Sequence, residues 1–423
     1  MGPGPDKTRR SQKTSNPLQA GIRNFLATQP PEFLSAHGLS STSDGQDASL
    51  PKRFTVYPPL LLLPVNAFTA PPAWAALFQS LTEDQRQKLY ECIAASFRSQ
   101  GVTHIAVNAP IELTGPGGTA NRMRSPTGLT PLLGDFGPVP SLSSEEDLQQ
   151  PSPEDFDRAL WARAVQNGGI VQTWAPLYTM FSRGNVTEKA RILGLGSRFD
   201  GLDGENLGDF SVVDMYAGIG YFVFSYLKRG VGRVWGFEIN PWSVEGLRRG
   251  CVENGWPCRI VRLRDDGGSV DVEGGLEELV DDILRNESRV VVFHGDNRFA
   301  ARILASIHPL LEARNAWFPI RHVNLGLLPT SEPSWNPAYV LIDRRFVNWV
   351  HVHENVDVKA IEAKRDYVVR RFKELAEDHG ERPDVVCHHV EQVKTYAPGV
   401  MHCVFDITVD FPRETDPKPD SER

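Results

Sequence analysis

The sequence VVDMYAGIGYF, residues 212–222, decides the fold of this chain. Its apolar beginning predicts a buried strand that runs into the acidic residue Asp214, and residues Tyr221 to Lys228 predict the helix that follows. Between them, Gly218 and Gly220 let the backbone approach a ligand where any Cβ atom would clash. The first N–H groups of such a helix are free to bind a ligand carboxylate. This stretch therefore predicts the binding turn of a nucleotide-like cofactor.

Two later strand ends carry polar groups that suit such a cofactor. Glu238 ends the next predicted strand and follows Gly218 by 20 residues, the spacing at which an acid accepts hydrogen bonds from both ribose hydroxyls. Asp296 and Asn297 follow a third strand, and an acid beside an amide suits the exocyclic amine and ring nitrogens of adenine. Ligands of doubly wound sheets bind at the carboxyl ends of the strands. We therefore expect Asp214, Glu238 and Asp296 to converge there.

Each of these acids has a second explanation when it is taken alone. Asp214 could cap a helix, Glu238 could be a surface carboxylate, and Asp296 with its neighbour could form a simple turn. Their order at consecutive strand ends favours the cofactor site. NAD is disfavoured because Val223 stands where the pattern GxGxxG would have its third glycine.

Short β-branched runs alternate with helical segments from Gly169 onward, which predicts a parallel sheet with right-handed crossovers. The last two strands, joined by the turn at residues 397–399, predict an antiparallel hairpin. This α/β arrangement resembles the class I methyltransferase-like Rossmann fold, whose mostly parallel seven-stranded sheet ends in such a hairpin. Gly194–Gly208 and Arg264–Asn286 are predicted to be acidic or glycine-rich surface loops. The predicted strands are Phe210–Met215, Arg233–Ile239, Arg259–Arg262, Arg289–His294, His322–Leu325, Val347–His353, Val385–Tyr396 and Val400–Val409.

The composition is that of an ordinary globular protein, with 423 residues, 40% of them hydrophobic and 23% charged. We expect a disordered leader over residues 1–50, a smaller N-terminal α/β domain over 51–165, a cofactor-binding catalytic domain over 166–412 and a polar tail over 413–423. No apolar stretch is long enough to span a membrane, and the start of the chain does not look like a secretory signal. Five scattered cysteines indicate neither a disulfide framework nor a metal site. We therefore expect a soluble, cytoplasmic protein without a metal.

The cofactor turn and the segment Glu238–Pro241 resemble enzymes that modify the purine 3′ of the tRNA anticodon in eukaryotes and archaea. One branch of that superfamily contains guanine-N1 methyltransferases, and the other contains wybutosine-synthesising aminocarboxypropyltransferases. The second branch is favoured by FSRGN at residues 181–185, HVHENV at 351–356 and VKTYAP at 393–398. It is also favoured by NLGLLPTS at 324–331, which takes the place of the Asn-Leu-Pro motif expected in the methylating branch. Residues 54–137, with THIAVNAPI and RSPTGLTPLLGDFGP, resemble the N-terminal part of fungal members. The chain is thus similar to the fungal type of the tRNA wybutosine-synthesising protein 2 family.

The resemblance implies that the cofactor is S-adenosylmethionine. Lys189 would pair with its carboxylate and Ser182 would donate a hydrogen bond to it, although Ser182 could instead cap a helix and Lys189 could be a solvated charge. The residues predicted to bind the cofactor are Ser182, Lys189, Asp214, Gly218, Glu238, Asp296 and Asn297.

The resemblance also implies the reaction, which is transfer of the 3-amino-3-carboxypropyl group to C7 of 4-demethylwyosine in tRNA(Phe) with release of methylthioadenosine. For catalysis we predict that Asn324 orients the substrate base and that Glu332 accepts the proton that the reacting carbon loses. Water could accept that proton instead, and Glu332 could be an ordinary loop carboxylate. His351 and His353 alternate on one strand, and a structural role suits them better.

The expected partner is the anticodon stem-loop of tRNA(Phe), bound by a monomer whose N-terminal domain is of the tRNA-recognition type. A net charge of −8 requires a local basic patch for RNA binding. The candidate phosphate contacts are Arg122, Arg124, Arg183, Arg344, Arg345, Lys364, Arg365, Arg370 and Arg371. Trp174, Tyr178 and Trp335 are candidate stacking platforms for a splayed base, although each could equally belong to the core.

Three other functions remain open from the sequence. The nearest is methylation of guanine N1 in the same tRNA nucleotide by the same fold. A second is a non-catalytic, cofactor-bound RNA-binding protein, and a third is a methyltransferase that acts on small molecules.

Overall fold

The computed structural model describes residues 16–40, 49–108, 121–126, 128–138, 150–264, 266 and 270–412, without the side chain of Arg183. The chain divides into two compact units, Met1–Val139 and Pro140–Arg423. This division precedes the predicted boundary at residue 165, because Ala162–Val165 pairs with Val171–Trp174 and both strands belong to the second unit. The predicted polar tail, residues 413–423, lies outside the described residues.

The first unit contains a four-stranded sheet in the order β1-β2-β3-β4. The β2 and β3 strands are parallel, and the two outer pairs are antiparallel. Its elements are α1 (Pro17–Leu26), α2 (Pro31–Ser35), β1 (Thr55–Tyr57), β2 (Leu60–Leu63), α3 (Pro72–Ser80), α4 (Glu83–Ser96), β3 (His104–Val107) and β4 (Thr130–Leu133).

The prediction of a disordered leader is wrong for residues 16–40. The α1 helix begins after Asn16, whose side chain accepts hydrogen bonds from two N–H groups of the first turn. Its Leu18, Ile22 and Phe25 are buried in the core of the first unit. These residues recur at three- and four-residue spacing, which is the helical period. The polar composition of the flanking residues concealed this short amphipathic pattern.

The second unit is built around a larger sheet. Its elements are α5 (Pro153–Arg158), β5 (Ala162–Val165), β6 (Val171–Trp174), α6 (Val186–Ile192), β7 (Ser211–Asp214), α7 (Val223–Arg229), β8 (Arg233–Glu238), α8 (Pro241–Asn254), β9 (Cys258–Arg262), α9 (Gly275–Arg285), β10 (Val290–His294), α10 (Ala300–Glu312), β11 (Ile320–Leu325), α11 (Trp335–Leu341), β12 (Asn348–Asp357), α12 (Ile361–Asp378), β13 (Asp384–Ala397) and β14 (Val400–Asp410).

The large sheet has the order β13-β14-β12-β11-β7-β8-β10-β9. The six strands from β12 to β9 are parallel, whereas β14 is antiparallel to both β12 and β13. The predicted parallel sheet with a C-terminal hairpin is therefore confirmed. The sheet has eight strands where the fold that the chain resembles has seven, and each of the eight corresponds to a strand predicted from the sequence.

One predicted surface loop contains a helix. Within Arg264–Asn286, the α9 helix buries Leu279, Val280 and Ile283 in the core of the second unit. The acidic residues on its other face gave the segment a loop-like composition, and its helical period was missed. In the described part of the chain, no helix is both long enough and apolar enough to cross a membrane.

Candidate cofactor-binding site

The polar residues predicted to bind the cofactor lie where neighbouring parallel strands end. Asp214 is the last residue of β7 and lies opposite Asn324 of β11. Glu238, the last residue of β8, lies opposite His294, the last residue of β10, and Asp296 follows two residues later. Because β8 is also the neighbour of β7, the three residues lie at or just beyond the carboxyl ends of neighbouring strands.

Asp214 and Asn324 are both fully buried and hydrogen-bonded to each other. Nδ2 of Asn324 donates to Oδ1 of Asp214 at 3.3 Å, and the N–H of Tyr216 donates to the same oxygen at 3.1 Å. Burial raises the pKa of Asp214 to about 7, and the charge of Glu238 adds to this rise. The two hydrogen bonds act in the opposite direction and lower the pKa. Oδ2 of Asp214 and Oδ1 of Asn324 have no hydrogen-bond partner among the described residues. Since buried acceptors are normally satisfied, these two oxygens indicate a place for a ligand's donor groups.

Glu238 holds the glycine-rich turn in position. Its Oε2 accepts the N–H of Gly218 at 2.8 Å, and its Oε1 accepts the N–H of Asn240 at 2.8 Å. Gly218 and Gly220 have φ angles of 54° and 87°, which L side chains rarely adopt. Burial raises the pKa of Glu238, while the two N–H donors oppose the rise. Each carboxylate oxygen keeps a further lone pair, so Glu238 can accept ribose hydroxyls without releasing the turn.

Asp296 and Asn297 form the turn that follows β10. Oδ1 of Asp296 accepts the N–H of Arg298 at 3.0 Å and thereby caps the turn Asn297–Phe299. Nδ2 of Asn297 donates to the carbonyl of Met215 at 2.6 Å. The amide of Asn297 therefore joins the end of β10 to the end of β7.

A hydroxyl pair extends this connection to the segment after β11. The hydroxyls of Tyr216 and Ser334 are 2.5 Å apart, and the hydroxyl of Ser334 donates to Oδ1 of Asn297 at 3.3 Å. Three segments that are distant in sequence thus share one hydrogen-bonded chain around the carboxyl edge of the sheet. Sequence reasoning missed both hydroxyls, because neither lies in a recognisable motif.

The segment that contains Ser182 is attached to the cofactor turn through Tyr221. The main-chain N–H of Ser182 donates to the hydroxyl of Tyr221 at 3.1 Å, and that hydroxyl donates to the carbonyl of Met180. The side chain of Ser182 makes no capping hydrogen bond to the short turn that follows it. The alternative that Ser182 is a helix cap is therefore wrong.

Lys189 of α6 is 3% exposed, so the alternative of a solvated surface charge is also wrong. Its Nζ donates to Oε1 of Gln172 at 3.0 Å and lies 5.2 Å from the centre of the Tyr221 ring. Burial, and then the charge of Lys394, lower the pKa of Lys189 to about 7. The neighbouring Glu188 is bound to Arg191 instead. Within the described ranges, Lys189 has no carboxylate partner.

Glu332 and Glu354 organise the loop that follows β11. Oε1 of Glu332 accepts the hydroxyl of Tyr367 on α12 at 2.5 Å, so its described contacts turn toward α12 and not toward Asn324. Glu354 of β12 is 2% exposed and accepts the hydroxyl of Thr330 at 2.8 Å and the N–H of Ser331 at 2.9 Å. Glu354 therefore fixes the shape of the loop. Glu354 belongs to the segment HVHENV quoted above, but the resemblance assigned no role to this glutamate, so the sequence did not single it out.

The sequences of known proteins identify the relatives of this chain. It is 38% identical over 370 residues to tRNA wybutosine-synthesizing protein 2 of Schizosaccharomyces pombe, a match that covers 87% of this chain and 75% of that protein. It is 31% identical over 421 residues to the protein of the same name from Saccharomyces cerevisiae, with 91% and 80% covered. The chain belongs to the tRNA wybutosine-synthesizing protein 2 family. No protein-family model matches the chain.

A solved structure agrees with the fold. The crystal structure of Pyrococcus horikoshii TYW2 in complex with MeSAdo has a TM-score of 0.51 to this chain at 20% identity, and the match covers 92% of this chain and 98% of that one. The predicted family and fold are both confirmed. With them the predicted enzyme class is confirmed, since members of the family are S-adenosylmethionine-dependent transferases of wybutosine synthesis, a tRNA modification.

The two histidines of HVHENV are buried in this family member, as a structural role requires. Nδ1 of His351 hydrogen-bonds to Asp406 at 2.6 Å, and Asp406 forms an ion pair with Arg191 at 2.6 Å. Burial alone would raise the pKa of Asp406, but these two partners bring it below its ordinary range. Nδ1 of His353 lies 3.1 Å from Nε2 of His402. The ion cluster fixes α6, and with it Lys189, to the strands of the C-terminal hairpin.

The aromatic residues proposed as stacking platforms are corrected by their burial. Trp174 stacks on Phe181 at 4.0 Å, and Tyr178 stacks on Trp242 at 3.6 Å. Nε1 of Trp335 donates to the hydroxyl of Ser331 at 3.0 Å. The three proposed rings are at most 3% exposed, so no wide ring face is open to a nucleotide base.

The proposed phosphate-binding cations of the second unit also have protein partners. Lys364 pairs with Glu354, Arg344 with Glu381 and Arg345 with Asp343, while Arg365, Arg370 and Arg371 pair with acids of α12. Arg122 and Arg124 belong to the first unit, and the side chain of Arg183 lies outside the described part of the chain. RNA contact by any of them stays a prediction.

Proposed function

We propose that this protein transfers the 3-amino-3-carboxypropyl group of S-adenosylmethionine to C7 of 4-demethylwyosine in tRNA(Phe) and releases methylthioadenosine. One observation carries the proposal. Buried acceptors on Asp214 and Asn324 lie at the sheet edge where Glu238 holds the glycine-rich turn, and the buried cation of Lys189 contacts Tyr221 of the same turn without a carboxylate partner in the described ranges. This arrangement suits a ligand with both a donor-rich adenosyl end and a carboxylate end.

The residues present fit S-adenosylmethionine group by group. Glu238 would accept the ribose hydroxyls, and Asp296 and Asn297 would contact the adenine. Lys189 and Ser182 would bind the carboxylate. When bound, S-adenosylmethionine supplies a sulfonium whose three attached carbons are open to nucleophilic displacement. The role of the protein is to select one of them by position, which can lower a barrier by several kcal/mol.

Asn324 is proposed to orient the substrate base. Its Oδ1 has no hydrogen-bond partner in the described part of the chain, while its Nδ2 donates to Asp214. Such a fixed amide can accept a hydrogen bond from the base without first rearranging.

Glu332 is proposed as the acceptor of the proton that the reacting carbon loses. To act so, its carboxylate has to exchange the hydrogen bond from Tyr367 for a contact with the substrate. Geometry is the first requirement for a general base, and catalytic hydrogen bonds often tighten only when the substrate is bound.

The proposed partner is the anticodon stem-loop of tRNA(Phe), and the proposed state is a monomer located in the cytoplasm. Guanine-N1 methylation is the activity of the other branch of the superfamily that the chain resembles. In place of the Asn-Leu-Pro motif expected for that activity, the chain has Gly326 after Asn324 and Leu325.

Mass spectrometry of nucleosides from treated precursor tRNA tests the proposal. The aminocarboxypropyl group adds about 101 Da and a methyl group about 14 Da to the displaced position. We expect the larger increment together with methylthioadenosine. A 14 Da increment would assign the chain to guanine methylation. Failure to modify the tRNA while S-adenosylmethionine still binds would favour a non-catalytic RNA-binding protein.

A further inference from the structure

Lys394 of β13 lies directly against the backbone of Gly184. A Cβ atom on Gly184 would lie 2.5 Å from Cδ and 2.7 Å from Cε of Lys394, and closer still to its Nζ. The φ angle of Gly184 is outside the left-handed region, so its backbone conformation does not demand glycine. A side chain at position 184 would therefore displace the end of Lys394 from this turn.

Lys189 is connected to this segment through Tyr221, because its Nζ lies over the Tyr221 ring and the hydroxyl of Tyr221 accepts the N–H of Ser182, two residues before Gly184. The charge of Lys394 lowers the pKa of Lys189, and burial lowers the pKa of Lys394 itself. In the part of the chain that the structure describes, neither lysine forms an ion pair with a carboxylate. Glu188, next to Lys189 in sequence, is engaged by Arg191 at 2.8 Å. A buried cation beside a second, partly buried one is costly without a counterion, and a bound anion would offset that cost and favour the protonated form of Lys189.

We propose that Lys394 is a second binding residue for the carboxylate of the aminocarboxypropyl group, acting beside Lys189. The inference rests on the proposed function, because that carboxylate belongs to S-adenosylmethionine. A carboxylate has two oxygens that can each accept a charge-assisted hydrogen bond. Two cations bound to its carboxylate would hold the aminocarboxypropyl group in one position. Selective transfer of this group requires such positioning.

The burial of Lys189 favours a small carboxylate over a phosphate of the tRNA backbone. Lys189 is 3% exposed, whereas the phosphates of a folded tRNA lie along its outer surface. The tRNA phosphate is therefore the competing outcome of the test.

Isothermal titration calorimetry on the full chain tests the assignment with two ligands. S-adenosylmethionine carries the carboxylate, and methylthioadenosine has the same nucleoside without it. We expect Lys394→Met to weaken binding of S-adenosylmethionine about 10- to 100-fold, as the loss of a charge-assisted hydrogen bond does. Binding of methylthioadenosine should not change. Lys394→Arg should recover part of the affinity, and the exposed Lys373→Met of α12 serves as the matched control.

Three results would overturn the inference. Unchanged affinity of Lys394→Met for S-adenosylmethionine, with weaker tRNA binding and a shallower salt dependence, would assign Lys394 to a phosphate. Equal loss of both ligands would make it a structural residue of the turn at Gly184. If the wild-type chain binds no S-adenosylmethionine, the proposed function is wrong and the inference falls with it. If the wild type binds it and only the Lys394 variants give an unexpected result, the proposed function still stands.

Discussion

Replacing Lys189 by methionine tests whether this lysine is kept buried for a ligand at the expense of stability. Burial lowers its pKa from an ordinary 10.5 to about 7. At pH 7 this shift disfavours the folded state by about 4 kcal/mol, because the unfolded chain holds the proton more tightly. The substitution leaves Oε1 of Gln172 without its donor, which costs about 1–3 kcal/mol. We expect the free energy of unfolding of Lys189→Met to exceed that of the wild type by about 1–3 kcal/mol at pH 7.

The pH dependence of this difference has a definite sign. Between pH 7 and 10.5 the unfolded chain binds more protons at position 189 than the folded chain does, so this group makes wild-type stability rise with pH. The cost of burying the lysine falls to about 2 kcal/mol at pH 9 by the same relation. The advantage of Lys189→Met should therefore shrink by about 2 kcal/mol between pH 7 and pH 9.

Urea unfolding at both pH values, followed by circular dichroism, measures the difference. Lys373→Met, on the exposed surface of α12, is the control and should differ little from the wild type at either pH. Lys189→Met should also lose affinity for S-adenosylmethionine and keep its affinity for methylthioadenosine. The reasoning is refuted if Lys189→Met is less stable than the wild type at pH 7, with a difference that is the same at pH 9.

Three further substitutions separate the roles assigned to the carboxylates. Glu238→Gln should weaken binding of S-adenosylmethionine and of methylthioadenosine alike, about 10- to 100-fold, because both carry the ribose whose hydroxyls Glu238 accepts. Calorimetry measures both affinities, and a loss confined to one ligand would contradict this role. Glu332→Gln should leave cofactor affinity unchanged and reduce turnover about 10²- to 10⁴-fold if Glu332 accepts the proton. A methylthioadenosine release assay measures turnover, with Tyr367→Phe as the control. Unchanged turnover would mean that water accepts the proton. Asp406→Asn leaves the buried Arg191 with one carboxylate partner and should lower the free energy of unfolding by about 3–5 kcal/mol; a urea midpoint equal to that of the wild type would show that the ion cluster is not stabilising.

Sequence reasoning located the cofactor turn and the strand ends because those signals are local. The positions of Asp214, Glu238 and Asp296 follow from where apolar runs stop, and parallel strands end at a common edge. The α1 and α9 helices were missed for a related reason. Their apolar residues are sparse within polar or acidic stretches, and the polar composition was read as loop or disorder. The helical spacing of those few apolar residues, which are buried in the core of each unit, was therefore overlooked.

Residue types and spacing alone were enough to establish the α/β architecture, the glycine-rich turn and the acids beside it. Only the folded chain decided that Asn324 faces Asp214, that Lys189 is buried against Gln172, and that Lys394 lies on Gly184. These pairs are separated by 17 to 210 residues, and no local pattern records them. Such contacts depend on the order of strands in the sheet and on the packing of α6 against it. The same packing buries Lys189 and thereby lowers its pKa.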